Sequence, residues 1–363
     1  MACETKTLLI FSLIFLAACY MQQCVYGQSQ VPCLFIFGDS LSDSGNNNNL
    51  VTLSEVNYKP YGIDFPTGPT GRFSNGLTSI DILGNILKSL FFTQLLGFKD
   101  FIPPFANTTG SNILKGVNYA SGSAGIRNET GKHLGANVDL ELQLQNHKTI
   151  VSKIAIMLGG VQQASQHLNE CLYYVNIGSN DYINNYFLPL FYYTNRTYNP
   201  NQYAQVLIDR LSRSIKNLHN AGARKMVLVG IGAIGCTPNA IATHGSCVEE
   251  KNAAALIFSS KLKCLVDRLN KKFTGSKFIF RNSTSDFYSS LNRFKVSNAA
   301  CCRLIFNSMC APNETPCENR DEYVFWDGFH PTSAANELMA LRSYNSSNPQ
   351  FIYPMNVQQL IQS

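Results

Sequence analysis

The chain has 363 residues, a formal net charge of +6 and 45% hydrophobic residues. That charge is mild, and no Lys/Arg cluster is interleaved with aromatics, which argues against a nucleic-acid partner. The length suits one large domain or two.

The first residues read as a targeting segment. Lys6 precedes an apolar run from Leu8 to Cys19, then polar residues and the small pair Val25 and Gly27. That run is shorter than the roughly 20 residues a bilayer span requires, so residues 1–27 are expected to be a secretory signal peptide. No later apolar stretch is long enough to span, so stable membrane insertion is not expected.

Strand-like apolar runs follow at 33–37, 172–177, 226–231 and 277–280, with helical patterns at about 78–97, 139–158, 201–221 and 250–273. Strands alternating with helices predict a parallel sheet covered on both faces. Loop-like insertions lie at about 43–76, 98–137, 182–200 and 282–325. No Pro/Gly/Ser-rich linker or repeat divides the chain, so residues 28–363 are expected to form one domain.

Beyond the leader stand nine cysteines: Cys33, Cys171, Cys236, Cys247, Cys264, Cys301, Cys302, Cys310 and Cys317. The crowding at 301–317 and the pair at 236–247 predict local disulfides, and an odd total leaves at least one thiol free or paired between chains. Cys33, Cys171 and Cys264 lie in apolar runs and read as buried small hydrophobes. No Cys-x-x-Cys pair or histidine at ligand spacing points to a metal. Six Asn-x-Ser/Thr sequons, at Asn107, Asn128, Asn195, Asn282, Asn313 and Asn345, predict a glycosylated surface and a secreted protein.

In an open α/β sheet, ligands bind beyond the carboxyl ends of the strands. Gly38-Asp39-Ser40 follows the first strand, and Gly178-Ser179-Asn180-Asp181 follows the run at 172–177. Far downstream comes Trp326-Asp327-Gly328-Phe329-His330-Pro331. A serine hydroxyl needs a base to take its proton, and His330 qualifies because Asp327, one helical turn earlier, can orient its ring. Pro331 suits the first turn of a terminal helix. The backbone N–H groups of Ser40 and Gly122 and the Asn180 amide are candidate donors to the oxyanion that forms during attack. Gly230-Ile231-Gly232-Ala233-Ile234-Gly235 matches the dinucleotide-binding pattern, but Cys236-Thr237-Pro238 follows where a helix should open, so a structural turn is expected. There is no Gly-x-Ser-x-Gly elbow.

These motifs resemble the GDSL esterase/lipase family of plants, within the SGNH-hydrolase superfamily. The likeness also takes in Gly71-Arg72-Phe73-Ser74-Asn75-Gly76, Gly116-Val117-Asn118-Tyr119-Ala120-Ser121-Gly122 and Gly235-Cys236-Thr237-Pro238, and covers nearly the whole mature chain. The resemblance implies a flavodoxin-like three-layer α/β/α sandwich with a mainly parallel sheet, and hydrolysis of acyl esters without metal or organic cofactor. It assigns Ser40 as nucleophile, His330 as base, Asp327 as its orienter, and Gly122 and Asn180 as oxyanion donors. Two departures stand out. Ser123 replaces a glycine beside Gly122, which matters if that position needs positive φ. Residues 85–93 read as an inserted stretch of about two helical turns. The same residues would serve an acyltransferase acting on an alcohol or lipid polymer, or a catalytically silent binding or defence protein that keeps the pocket.

Overall fold

The computed structural model describes residues 29–84 and 96–363. The leader and the 85–93 insertion lie outside the described residues. Five parallel strands form the sheet: β1 (Leu34–Gly38), β2 (Gly116–Asn118), β3 (Leu172–Asn176), β4 (Lys225–Val229) and β5 (Lys277–Arg281). Their order is β5-β4-β3-β1-β2, and the short segment Ile352–Tyr353 adds an antiparallel edge beside β5. Both β2 and that edge escape sequence reading, because two or three residues carry too little periodicity.

Every residue of β1 and β3 is buried, as expected for strands covered on both faces. Successive side chains alternate between two cores. Phe35, Phe37, Tyr173, Val175, Met226, Leu228, Phe278 and Phe280 face the helices α2 (Leu140–Met157), α4 (Pro200–Asn220) and α5 (Glu249–Lys272). Leu34, Ile36, Leu172, Tyr174, Val227, Val229 and Ile279 face α1 (Ser79–Gly84), α7 (Ser333–Asn345) and α8 (Val357–Gln362). Among the other helices of the described residues, α3 (Val161–Glu170) packs against the first core and α6 (Ser283–Ser290) follows β5. This is a three-layer α/β/α sandwich with a mainly parallel sheet.

Helix ends follow local chemistry. Asn199 and Gln202 close a capping box around Pro200, and Asp139 accepts the N–H groups of Glu141 and Leu142. Thr332 caps α7, so Pro331 lies before the helix and not in its first turn.

Among the described residues four disulfides form: Cys33–Cys171, Cys236–Cys247, Cys301–Cys317 and Cys302–Cys310. The last three are the local bridges expected from spacing. Cys33 and Cys171 are not lone hydrophobes, because the pairing of Leu34 with Leu172 sets the residues just before β1 and β3 side by side. Cys264 is free and exposed, not buried. Unexpectedly, His167 stands beside Cys33 and Cys171 at ligand spacing, but its Nε2 lies 3.0 Å from the Leu114 carbonyl and the sulfurs are joined to each other.

A further cluster forms beneath the cysteine-rich segment, where Val56, Tyr61, Phe73 and Trp326 pack against Cys301, Cys302 and Cys310. It carries the loop that holds Asp327.

Candidate active site

The carboxyl ends of β1 and β3 lie side by side, with Gly38 opposite Asn176. A Cβ at Gly38 would come within 2.6 Å of the Asn176 carbonyl oxygen, so only glycine allows the two strands to meet here. Gln143 of α2 holds Gly38 from both sides, accepting from its N–H at 2.9 Å and donating to its carbonyl at 2.8 Å. Ser40 and Asn180 leave the sheet from these two strand ends.

His330 Nε2 lies 2.8 Å from Ser40 Oγ. Its Nδ1 lies 2.9 and 2.8 Å from the two carboxylate oxygens of Asp327. Asp327 and His330 occupy a loop between the strand Tyr323–Phe325 and α7, not a helical turn. Asp327 Oδ1 also accepts the N–H groups of Phe329 and His330, both at 2.8 Å, which folds the loop back on the carboxylate. The Trp326 N–H donates to the His330 carbonyl and closes the loop. Phe73 lies against the imidazole, with ring centroids 4.8 Å apart.

Sequence reading missed Tyr61. Its hydroxyl donates to Asp327 Oδ2 at 2.6 Å and accepts the Cys310 N–H at 3.1 Å. Burial and the neighbouring Asp327 charge push the Tyr61 pKa well above its ordinary value, so it stays a neutral donor. No local pattern betrays a tyrosine 266 residues from its partner.

Asn180 is buried in the short helical turn Ser179–Asp181. Its Nδ2 donates to the Ala124 carbonyl at 3.0 Å, and its Oδ1 accepts from Asn184 at 2.7 Å. One amide proton therefore remains for the cavity. The Gly122 N–H, a donor expected from the sequence, donates to Asp43 Oδ2 at 2.9 Å. The next residue, Ser123, lines the cavity, and its N–H has no acceptor among the described residues. Ser123 has φ 61°, the left-handed conformation glycine adopts without strain. The same absence of an acceptor holds for the Ser40 N–H.

Buried carboxyls fix these loops. Asp43 Oδ1 accepts the N–H groups of Gly45 and Asn46, both at 2.8 Å. Asn46 reaches the carbonyls of Asn118 and Ala120, while Asn118 donates to the Ser42 carbonyl. The segment after β1 is thereby clamped to the segment after β2. Asp181 accepts from Ile126, Arg127 and Thr130, and so ties the β3 end to the Ser123 loop. Burial pushes Asp43 and Asp181 up to about 6, although their N–H donors oppose it. Asp39, beside Ser40, is pushed up to about 7 by burial, and its Oδ2 has no partner among the described residues.

The motif at 71–76 is scaffolding. Arg72 forms a buried pair with Asp81 at 2.8 Å, and Asn75 accepts the Ser333 N–H at the start of α7. The glycine-rich run at 230–235 is a turn leading into the helix Pro238–His244. His147 is a core residue bonded to Tyr119, and burial lowers it to about 3, so it is neutral.

Ser40, Ser123, Asn180 and His330 open onto a cavity of about 780 Å³. Its wall includes the apolar side chains Phe73, Ile234, Phe287, Phe325, Phe329 and Met339. A serine hydroxyl bonded to an imidazole, an imidazole bonded to a carboxylate, and unoccupied N–H donors nearby suit attack on an ester carbonyl. The apolar wall suits an acyl chain.

Comparison with known proteins agrees. Residues 34–343 match the model of the GDSL-like Lipase/Acylhydrolase family. One GDSL esterase/lipase of Arabidopsis thaliana is 47% identical over 346 residues, covering 92% of this chain and 93% of the relative. A second from the same organism is 46% identical over 346 residues, covering 92% and 93%. A third is 47% identical over 350 residues and 93% of both chains. The family match over residues 34–343 and the identity to these relatives establish serine-hydrolase chemistry on acyl esters, and the chain belongs to the GDSL-like lipase/acylhydrolase family.

Proposed function

We propose that Ser40 is the nucleophile, His330 its base and Asp327 the group that orients the base. In this reading the oxyanion is held by the Ser40 and Ser123 N–H groups and the Asn180 amide. The single observation that carries the reading is the unbroken relay from Ser40 Oγ through His330 to Asp327. Ser40 Oγ attacks the ester carbonyl carbon as its proton passes to His330 Nε2. The tetrahedral intermediate collapses when that proton reaches the leaving alkoxide, which departs as an alcohol. A water molecule then attacks the acyl-serine, giving its proton to His330, and the released carboxylic acid leaves Ser40 restored.

Ser123 takes the donor place first expected of Gly122, because Asp43 occupies the Gly122 N–H. We further propose that residues 28–363 act as one domain, secreted after loss of residues 1–27. Four disulfides support an oxidising compartment. Asn107, Asn128, Asn195, Asn313 and Asn345 are exposed and suit glycan attachment. Asn282 is half-buried and caps α6 through Ser285, so it suits a glycan least. The finer substrate assignment is a lipid-like ester with an apolar acyl chain.

The test is hydrolysis of p-nitrophenyl esters of graded acyl length by the secreted chain. Ser40→Ala should remove turnover while secretion and melting temperature stay unchanged. Hydrolysis at the wild-type rate by that variant would exclude Ser40 as nucleophile.

A further inference from the structure

Two loops from distant parts of the chain bring exposed apolar side chains to the mouth of the cavity. On one side are Val51, 91% exposed, and Leu53, 75% exposed. Their loop is anchored by the Leu53 N–H on the Leu134 carbonyl and by the Ala136 N–H on the Val51 carbonyl. On the other side, Phe306 is 94% exposed at the tip of the hairpin Leu304–Cys310. Thr52, Leu53, Ile305 and Phe306 line the cavity itself.

Phe306 and Asn307 have φ 49° and 53° and are the two central, left-handed residues of the turn Ile305–Ser308, in which the Ser308 N–H donates to the Ile305 carbonyl. Asparagine and glycine suit that turn, whereas a bulky aromatic there is strained. Phe306 therefore helps neither its turn nor a core. The tip is also firmly held. Cys302–Cys310 ties its base, the Ser308 carbonyl accepts the Gly328 N–H, and the Asn307 carbonyl accepts from Asn239. A braced hairpin presenting an unpartnered aromatic beside the cavity suits contact with an apolar phase.

We infer that the Val51–Leu53 loop and the Phe306 tip dock the enzyme on the surface of aggregated ester substrate, a droplet or micelle, with the cavity mouth against it. This rests on the esterase reading above, since the apolar rim is continuous with the cavity that takes the acyl chain. A second copy of the chain seated on this rim would instead cover the mouth and exclude substrate.

The experiment compares the wild-type chain with Phe306→Ser, Val51→Ser and the double variant on tributyrin below and above its solubility limit. Flotation with phosphatidylcholine vesicles, in a Ser40→Ala background, reads binding separately. Wild-type rate should rise when droplets form. The double variant should lose roughly tenfold or more on droplets, the scale of one large apolar side chain failing to bury. Val51→Ser alone, whose side chain lies outside the cavity, should match wild type on dissolved ester, which also reports intact folding. In the double variant the droplet rate should fall well beyond any change on dissolved ester, and flotation should fall with it. Equal droplet rates, or equal losses on dissolved and dispersed ester, would overturn the inference. So would a wild-type dimer that the substitutions dissociate without changing flotation. If wild type hydrolyses neither form, the esterase reading fails, and flotation alone decides the docking: loss in the double variant supports it, and unchanged flotation overturns it.

Discussion

Tyr61 and Asn180 each make a buried contact, to Asp327 and to the Ala124 carbonyl, whose removal has a distinct signature. Tyr61 donates to Asp327, and a hydrogen bond to a charged group contributes about 1.5–3 kcal/mol. Tyr61→Phe should lower kcat roughly tenfold, since part of that interaction holds Asp327 against His330. KM should change little, because Tyr61 touches Asp327 and does not line the cavity. Asn180→Ala should reduce kcat by about 10²–10³ if the amide meets the oxyanion. Its bond to Ala124 makes some loss of stability expected as well, so kcat should be compared with KM and melting temperature. A rate near wild type would leave Asn180 as a loop brace only.

Elements differ in how much of the chain they tie together, and the disulfides expose that difference. Cys33–Cys171 spans 138 residues and joins the starts of β1 and β3, while Cys236–Cys247 spans 11. On the chain-entropy account, the first restricts the unfolded chain by about 5 kcal/mol and the second by about 3 kcal/mol. Double Cys→Ser replacement should therefore lower the denaturant midpoint more for Cys33/Cys171 than for Cys236/Cys247. The reverse order would mean that the 236–247 loop matters through its packing. The short bridge Cys302–Cys310 acts differently, because the Cys310 N–H also holds Tyr61, which holds Asp327.

Across the whole molecule, burial of charge sets the dependence of stability on pH. Asp39 is pushed up to about 7, and Asp43 and Asp181 up to about 6, from an ordinary value of 3.8. The folded state thus holds these protons more tightly than the unfolded chain does. Their contribution to stability is fully present below pH 3.8 and is lost as pH rises through 6 to 7. Asp81 behaves oppositely. Burial alone would raise it, but the Arg72 guanidinium holds it below its usual value, so its contribution is lost only in more acidic solution. Asp39→Asn should flatten the fall in stability between pH 4 and 7, by up to about 1.4 kcal/mol per pH unit. Urea midpoints across that range would check this, and an unchanged slope would mean that Asp39 ionises freely in the folded chain.

Strands β1, β3, β4 and β5 were legible because burial on both faces leaves unbroken apolar runs. Helices α2, α4 and α5 were legible because amphipathic periodicity is a local property, carried in each segment. Ser40 and Asn180 could be placed on the sheet edge for a similar reason, since topology alone sets a residue just after a strand there, whereas Asp327 and His330, outside that sheet, were read only from their three-residue spacing. The sequence by itself thus determined the layered fold, the parallel sheet and the type of chemistry. Tertiary structure decided the Cys33–Cys171 bridge, the Tyr61 contact, the bond of the Gly122 N–H to Asp43 and the joining of two apolar loops at one rim. Each of these depends on which distant backbone groups meet and on which donors their neighbours already occupy. Such pairings arise only when the sheet closes and loops from opposite ends of the chain compete for the same carbonyls and carboxylates.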